Sequence, residues 1–392
     1  MGNRLAVGLG ALAVVGLAGY GARGSLGLFI EPWESEFGAT RASVSLISSL
    51  GFVALGVAQP VAGRLLESFP PRGVLFGGLT LGAIGYGAGA FAPSLSVAIV
   101  LVGVVASFGT GITALTTLTY IAGELVERRQ GILYGILTAA SAGGQVLVLP
   151  IATAALGVSL RVALLTLGGI LTAMALAVLV LVPRVEPARR VRTGGSWAFV
   201  RDGRFWLLAL PFFVCGYTTT GLVDTHLIPH ALHHGIGETT ASAALTALAA
   251  FNVTGVLIAG ALTDRLDRGV MLTGIYAARA ATLLAVPFLT SPEGLFLFAA
   301  AFGLADFATV PPTTSLTRSI FRAGGWALAI GLIGGSHQAG SALGAFLGGW
   351  LYDLTGTYTY SFVSAAITLI VAAGLSYALR ERARLRPAAA TT

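Results

Sequence analysis

Apolar runs of membrane-crossing length alternate with short polar breaks from one end of the chain to the other. A helix needs about 20 apolar residues to cross the hydrocarbon of a bilayer. Twelve stretches meet that need: 5–31, 42–66, 73–93, 96–123, 130–155, 160–182, 205–231, 239–262, 270–290, 294–317, 324–351 and 358–379. Turn chemistry separates them, in "EPWESEFGAT", "ESFPPR", "VERRQ", "LTSPEG" and "TGTY". The longest break, "PRVEPARRVRTGGSWAFVRDGR" at 183–204, is rich in Arg, Pro and Gly and leaves six runs on either side. The pattern predicts an all-α integral membrane protein of twelve transmembrane helices in two six-helix bundles, residues 1–182 and 205–380. A linker at 183–204 joins them and a tail at 381–392 follows; "SWAFVRDGRF" is expected to lie on the membrane surface.

Composition points to the same solvent. Hydrophobic residues are 55% of 392, charged residues 10%, and the mean hydropathy is +0.86, where a soluble domain carries about 25% charge. The single Cys215 excludes a disulfide within the chain and a cysteine metal cluster. Arg4 followed by an apolar run has the form of a signal peptide. The run continues far past the roughly 7–15 residues of a signal h-region, so it reads as the first span.

All 23 basic residues other than histidine are arginine, the net charge is +7 and the pI is near 10. With the N-terminus placed inside, nineteen arginines fall on the side of the termini. Only Arg41 and Arg161 fall opposite, and Arg23 and Arg279 lie within spans. The positive-inside rule then predicts a multi-pass protein of the inner or plasma membrane with both termini cytoplasmic. The same dispersal over inner loops explains the high pI and argues against nucleic acid as a partner.

The chain also repeats itself. "GYGARGSLGLFIEP" at 19–32 matches "GYTTTGLVDTHLIP" at 216–229 in Gly19-Tyr20 with Gly216-Tyr217, Gly24 with Gly221 and Pro32 with Pro229. The offset of 197 holds for Gly38 and Gly235, Ser45 and Ser242, Ala62-Gly63 and Ala259-Gly260, Glu67 and Asp264, Thr116-Thr117 and Thr313-Thr314, and Ala142-Gly143 and Ala339-Gly340. Two parallel repeats make the bundles pseudo-symmetric and place a site at the midplane between them.

The loops after spans 2 and 8 carry a resemblance to the major facilitator superfamily, whose pattern there is Gly-x-x-x-Asp-Arg-x-Gly-Arg-Arg. The second copy is "GALTDRLDRG", with Gly260, Asp264, Arg265 and Arg268; the first, "GRLLESFPPR", keeps Gly63, replaces the Asp by Glu67 and ends in Arg72. The resemblance implies that these residues latch the inner side. Glycine permits close helix approach, and the carboxylate can face a neighbouring helix N-terminus and a basic residue. A finer resemblance, to the bacterial branch of the monocarboxylate transporter-like group, rests on "RGSLGLFIEPWESEFGATRASVSLISS", "ERRQGILYGI" and "SHQAGSALGAFLGGWLYDLTGTY". It implies that a basic residue on the first helix, here Arg23, binds the substrate carboxylate. The group's eighth helix carries an Asp and an Arg four residues apart, where this chain has Asn252 and Val256 in "FNVTGVLIAG".

Arg23 is the lone charge between Leu5 and Ile30. A guanidinium facing lipid is costly, so it is expected in a wet cavity. At 3.6 residues per turn Tyr20 and Arg23 share one face of span 1, and Tyr217, Thr220 and Asp224 share one of span 7. The resemblance sets these faces opposite each other, so Arg23 is expected to meet Asp224, either in a static bridge or as part of a binding site. Span 4 has a polar stripe of Thr110, Thr113, Thr117, Tyr120 and Glu124, although threonine in such helices often bonds only its own backbone. Asp306 in span 10 is a candidate proton carrier and Arg279 in span 9 a candidate ion-pair partner within the second half. Gln145, Asn252, His337 and Gln338 complete the expected substrate contacts, with Asp224 and Asp306 expected to couple protons. "HLIPHALHH" reads as a solvated rim rather than a metal site.

No P-loop and no lysine to make one are present, so no enzyme, catalytic residue, cofactor or metal is expected. The expectation is a monomeric secondary transporter in the lipid bilayer. It moves a small organic anion, a carboxylate, with protons. A proton-antiport exporter is the alternative, against which span 5, "GILTAASAGGQVLVLP", lacks the Gly-Pro of the superfamily's antiporters. A non-transporting sensor or scaffold is the reading from another class.

Overall fold

The computed structural model describes residues 2–183, 197–322 and 325–380, without the side chains of residues 2–4, 41, 42, 145, 238 and 239. Residues 184–196 of the expected linker at 183–204, the tail at 381–392 and the arginines within both lie outside the described residues, as does the Gln145 side chain.

The transmembrane helices are α1 (Leu5–Phe37), α2 (Ser43–Ser68), α3 (Pro71–Gly89), α4 (Leu95–Leu125), α5 (Gln130–Leu156), α6 (Leu160–Leu181), α7 (Gly203–His233), α8 (Thr240–Thr263), α9 (Arg268–Phe288), α10 (Pro292–Phe321), α11 (Trp326–Thr355) and α12 (Thr359–Tyr377). Ten are both long and apolar enough to cross a bilayer. The other two, α3 and α11, have 19 and 30 residues, but glycines and the Ser336-His337-Gln338 triplet dilute their hydropathy.

The internal repeat is visible in three dimensions. The starts of α2 and α8, of α3 and α9, and of α4 and α10 are each 197 residues apart. In both halves the first helix ends at a glycine in the left-handed region, Gly38 (φ +58°) and Gly235 (φ +77°), where a side chain would be strained.

Departures from regular helix fall mainly on α1, α4, α7 and α10. In α1 the turn tightens over Ser25–Phe29, and in α10 over Phe307–Thr309. The backbone of α7 widens over Tyr217–Val223. In α4 it widens over Ile99–Ala106 and then breaks at Ala114, whose φ of −62° and ψ of 164° are those of a strand. Carbonyls freed at such places need partners or water, so irregular backbone at membrane depth is tolerated where it lines a cavity.

Small residues set the packing. In the first half a Cβ on Gly144 of α5 would collide with the carbonyl of Leu17 of α1. In the second, one on Gly340 of α11 would collide with that of Phe213 of α7. Between the halves, α2 packs on α11 and α5 on α8. Gly63 abuts Ala327 and Leu328, and Gly260 abuts Gly131 and Gly135. These two glycines are repeat partners, so the seam is itself pseudo-symmetric, and it lies on the side of the membrane that carries the termini.

Candidate substrate cavity

A cavity of about 120 Å³ lies between the halves, walled by α1, α2, α4, α5, α7, α10 and α11. Of the expected contacts, Tyr20, Arg23, Asp306, His337 and Gln338 stand on its wall. The Arg23 guanidinium sits 4.5 Å from the centre of the Tyr20 ring, and the Tyr20 ring meets Phe307 of the opposite half edge-on at 6.3 Å. Tyr20 therefore touches both the cation of one half and the kink of α10 in the other.

The expected meeting of Arg23 and Asp224 is not made. Among the described residues, Arg23 has no carboxylate within ion-pair distance, and Asp224 is exposed one turn beyond the wall residue Thr220. Helical phase places both residues toward one space but does not fix how far apart the halves stand there. Here the cavity opens toward the far side, away from the termini, and no ion pair bridges it.

Tyr120 and Asn252 also move from their expected roles. Tyr120 is 6% exposed and packs against Trp326 of α11, the rings tilted by 38° with centres 4.5 Å apart, below the cavity on the terminus side. Asn252 is 5% exposed and lies behind the wall. Its amide donates to Asp306 Oδ2 at 2.8 Å while its carbonyl accepts from the Phe307 backbone N–H at 2.8 Å. One side chain thus holds both the carboxylate and the point where α10 tightens.

Asp306 has a second neighbour. Its Oδ1 lies 3.9 Å from Nη2 of Arg279, a loose ion pair whose members are almost entirely buried, as expected for Arg279 within the second half. Arg279 also donates to Thr218 Oγ1 at 2.6 Å and to Cys215 Sγ at 3.1 Å, and its guanidinium lies 5.2 Å from the Phe302 ring centre. Asp306 Oδ1 and Arg279 Nε have no hydrogen-bond partner. Sequence reasoning missed Cys215 of α7, which stands on the wall and accepts from Arg279. It also missed Gln59, an intramembrane amide before Pro60. Gln59 accepts from Thr116 at 3.0 Å at the cavity floor.

On span 4 the bland reading holds for two threonines: Thr110 donates to the Ala106 and Ser107 carbonyls and Thr113 to that of Thr110. Three of the four histidines of α7 take ordinary partners, while the ring nitrogens of buried His230 have none. His226 Nε2 lies 2.9 Å from the Ala345 carbonyl, His234 Nδ1 3.0 Å from that of His230, and His233 Nδ1 3.3 Å from the Tyr352 hydroxyl.

The terminus side is closed by polar contacts between the halves. Asp264 accepts from the Gly131 and Ile132 backbone N–H groups at 2.8 and 3.1 Å, so it caps the N-terminus of α5. Its repeat partner Glu67 instead accepts from Arg64 of its own helix at 2.7 Å. Arg268 is turned inward, donating to the Ser315 carbonyl and hydroxyl at 3.0 and 2.7 Å, while Arg265 is exposed and Arg72 half-buried. Trp326 donates its indole N–H to Glu124 at 2.9 Å and Arg322 donates to Glu127 at 2.8 Å. The Arg322 guanidinium holds the Glu127 carboxyl below its usual range.

The family description "Major Facilitator Superfamily" matches residues 12–230 and 226–392. The Bacillus subtilis protein named "Uncharacterized MFS-type transporter YcxA" is 26% identical over 373 residues, covering 90% of this chain and 89% of that protein. Monocarboxylate transporter 11 of Homo sapiens is 28% identical over 390 residues, covering 95% and 81%. Among solved structures, the transporter FucP in the outward conformation superposes with a TM-score of 0.78 at 16% identity over 96% of this chain and all of that one. The human organic anion transporter MFSD10 does so with a TM-score of 0.78 at 13% identity over 95% and 99%. At those identities the likeness is one of fold.

Proposed function

This chain belongs to the major facilitator superfamily, and on that premise we propose that it moves a small organic anion, a carboxylate, across the inner or plasma membrane together with protons. It is a transporter and not an enzyme. Arg23 carries the reading: a cation on the cavity wall with no carboxylate partner among the described residues. In a site partly shielded from water such a group is a ready receptor for an anion, and its planar fork suits a carboxylate. Tyr20 holds the guanidinium by its ring face and leaves the N–H edges to the solute.

The cavity opens to the far side while Gly63, Gly260, Asp264 and Trp326 close the terminus side. Rocking of one bundle against the other would break that seam and close the far side, which is alternating access. The excess of arginine on the terminus side supports a cytoplasmic assignment for it. Asp224 and Asp306 are the carboxylates available for coupling.

A thermal-shift panel of small carboxylates on the purified protein, at acidic and neutral pH, tests the reading. Stabilisation by carboxylates that is stronger at acidic pH supports it. Stabilisation only by cationic or neutral solutes would favour the antiport-exporter reading.

A further inference from the structure

We infer that the solute carries hydroxyl groups at the end remote from its carboxylate, as a sugar acid does, and that Gln59 of α2 and Gln338 of α11 bind those hydroxyls. This deepens the organic-anion reading above and rests on it.

Arg23 is the one arginine on the cavity wall among the described residues, which fits a solute with a single carboxylate. The rest of the solute must suit what lies deeper. Gly19 stands about 6 Å along α1 from Arg23, toward the terminus side, and Thr113 of α4 packs beside it. Thr116, a turn further along α4, meets Gln59 at the cavity floor. The floor therefore lies about 10 Å below the Arg23 backbone. A solute held at Arg23 meets the glutamines with its far end.

Both glutamines have hydrogen bonds to give. Gln59 Oε1 accepts from Thr116 Oγ1 at 3.0 Å, and its amide nitrogen has no partner among the described residues. Gly334 makes room for this amide, since a Cβ there would collide with Oε1. Gln338 stands one turn further out, against Gly56 of α2. It makes no hydrogen bond among the described residues, and its Oε1 is buried without a partner. Such an orphaned acceptor costs about 1–3 kcal/mol until something donates to it. A carboxamide sets a donor beside an acceptor, which complements a hydroxyl, itself both donor and acceptor. No bond fixes the Gln338 amide, so it can turn either atom to the solute.

The hydroxyls around the amides are acceptors. Thr113, Thr119, Thr138 and Ser141 on the wall each donate their one proton to a carbonyl of their own helix. Only their lone pairs remain for the solute. Lone pairs attract hydroxyl protons and repel a second carboxylate. The wall also carries Leu55, Leu115, Val310 and Ile330, which suit an alkyl tail as well as the C–H faces of a sugar-like chain. An alkyl tail, however, would leave both amides unpaired once the cavity closes, and sites built to bond a hydroxyl reject analogues that lack it. Gln59 belongs to the first half and Gln338 to the second, so hydroxyls bonded to both would hold the halves together around the solute.

Calorimetric titration of the purified full-length protein with gluconate, hexanoate, adipate and glucose, which share a chain length, separates these chemistries. The wild type should bind gluconate at least about tenfold more tightly than hexanoate or adipate. Gln338→Met keeps the side-chain length and removes the amide. It should weaken gluconate by about tenfold, leave hexanoate equal or tighter, and melt close to wild type. Gln59→Met should shift the same ratio. Hexanoate or adipate binding as tightly as gluconate, no binding of gluconate, or unchanged gluconate affinity in both variants would overturn the inference while leaving the anion reading in place. Glucose binding as tightly as gluconate would instead remove the carboxylate premise, a result distinct from the others.

Discussion

Trp326 of the second half donates its indole N–H to Glu124 of the first at 2.9 Å, and its ring packs tilted against Tyr120 with centres 4.5 Å apart. This contact bridges the bundles directly beneath the cavity floor, on the side that must open for solute to cross. A hydrogen bond to a charged acceptor contributes about 1.5–3 kcal/mol. Trp326→Phe keeps most of the ring contact and loses the bond. It should raise the population open on the terminus side by about tenfold or more, read as longer distances between spin labels on Ser68 and Arg265.

The neighbouring Arg322–Glu127 pair should matter far less. Both side chains are more than half exposed, so water and salt screen them. Because the guanidinium lowers the Glu127 carboxyl, the pair's contribution to closure is complete above the ordinary glutamate range. It is lost only as pH falls through the lowered value. The same spin-label distance in Glu127→Gln should match wild type at neutral pH within error; a shift as large as that of Trp326→Phe would place the latch in the wrong pair.

Two glycine substitutions separate stability from conformation. Gly109→Ala drives a methyl into Gly82 within one bundle. It should lower the melting temperature, with overpacking costing about 1–3 kcal/mol. Gly63→Ala drives one into Ala327 and Leu328 across the seam. Either bundle tolerates it alone, so it should lengthen the spin-label distance on the terminus side with a smaller loss of thermal stability.

Much of this arrangement is legible in the sequence. A lone charge in 26 apolar residues marks Arg23, and the fixed offset of 197 marks the two halves. The Asp264 cap follows from a motif whose carboxylate needs a helix N-terminus. What is not legible depends on distances between helices. The face shared by Tyr217, Thr220 and Asp224 points Asp224 toward Arg23, but the opening of the cavity separates them. Tyr120 follows the cavity-wall residues Thr116 and Thr119 on α4, yet its own ring is taken up by Trp326 of α11. Asn252 looks like a substrate contact because amides in membranes bind something, and here that partner is Asp306.

The two-half architecture also predicts topology. Reporters fused after Arg380 and inserted within residues 183–204 should read on the same side, because an even number of crossings separates them, and the arginine excess predicts that this side is the cytoplasm. A periplasmic signal from one alone would contradict the crossing count, and from both the arginine rule.

The most direct test of the central claim is calorimetric titration of the purified wild type and of Arg23→Gln with the carboxylate that stabilises the wild type most. Glutamine keeps hydrogen-bonding capacity and loses the charge, whose charge-assisted bond is worth about 1.5–3 kcal/mol. Arg23→Gln should therefore bind about 10- to 100-fold more weakly while melting close to wild type. Equal affinity in the two proteins would make Arg23 a structural residue and contradict the assignment of an organic anion as the solute.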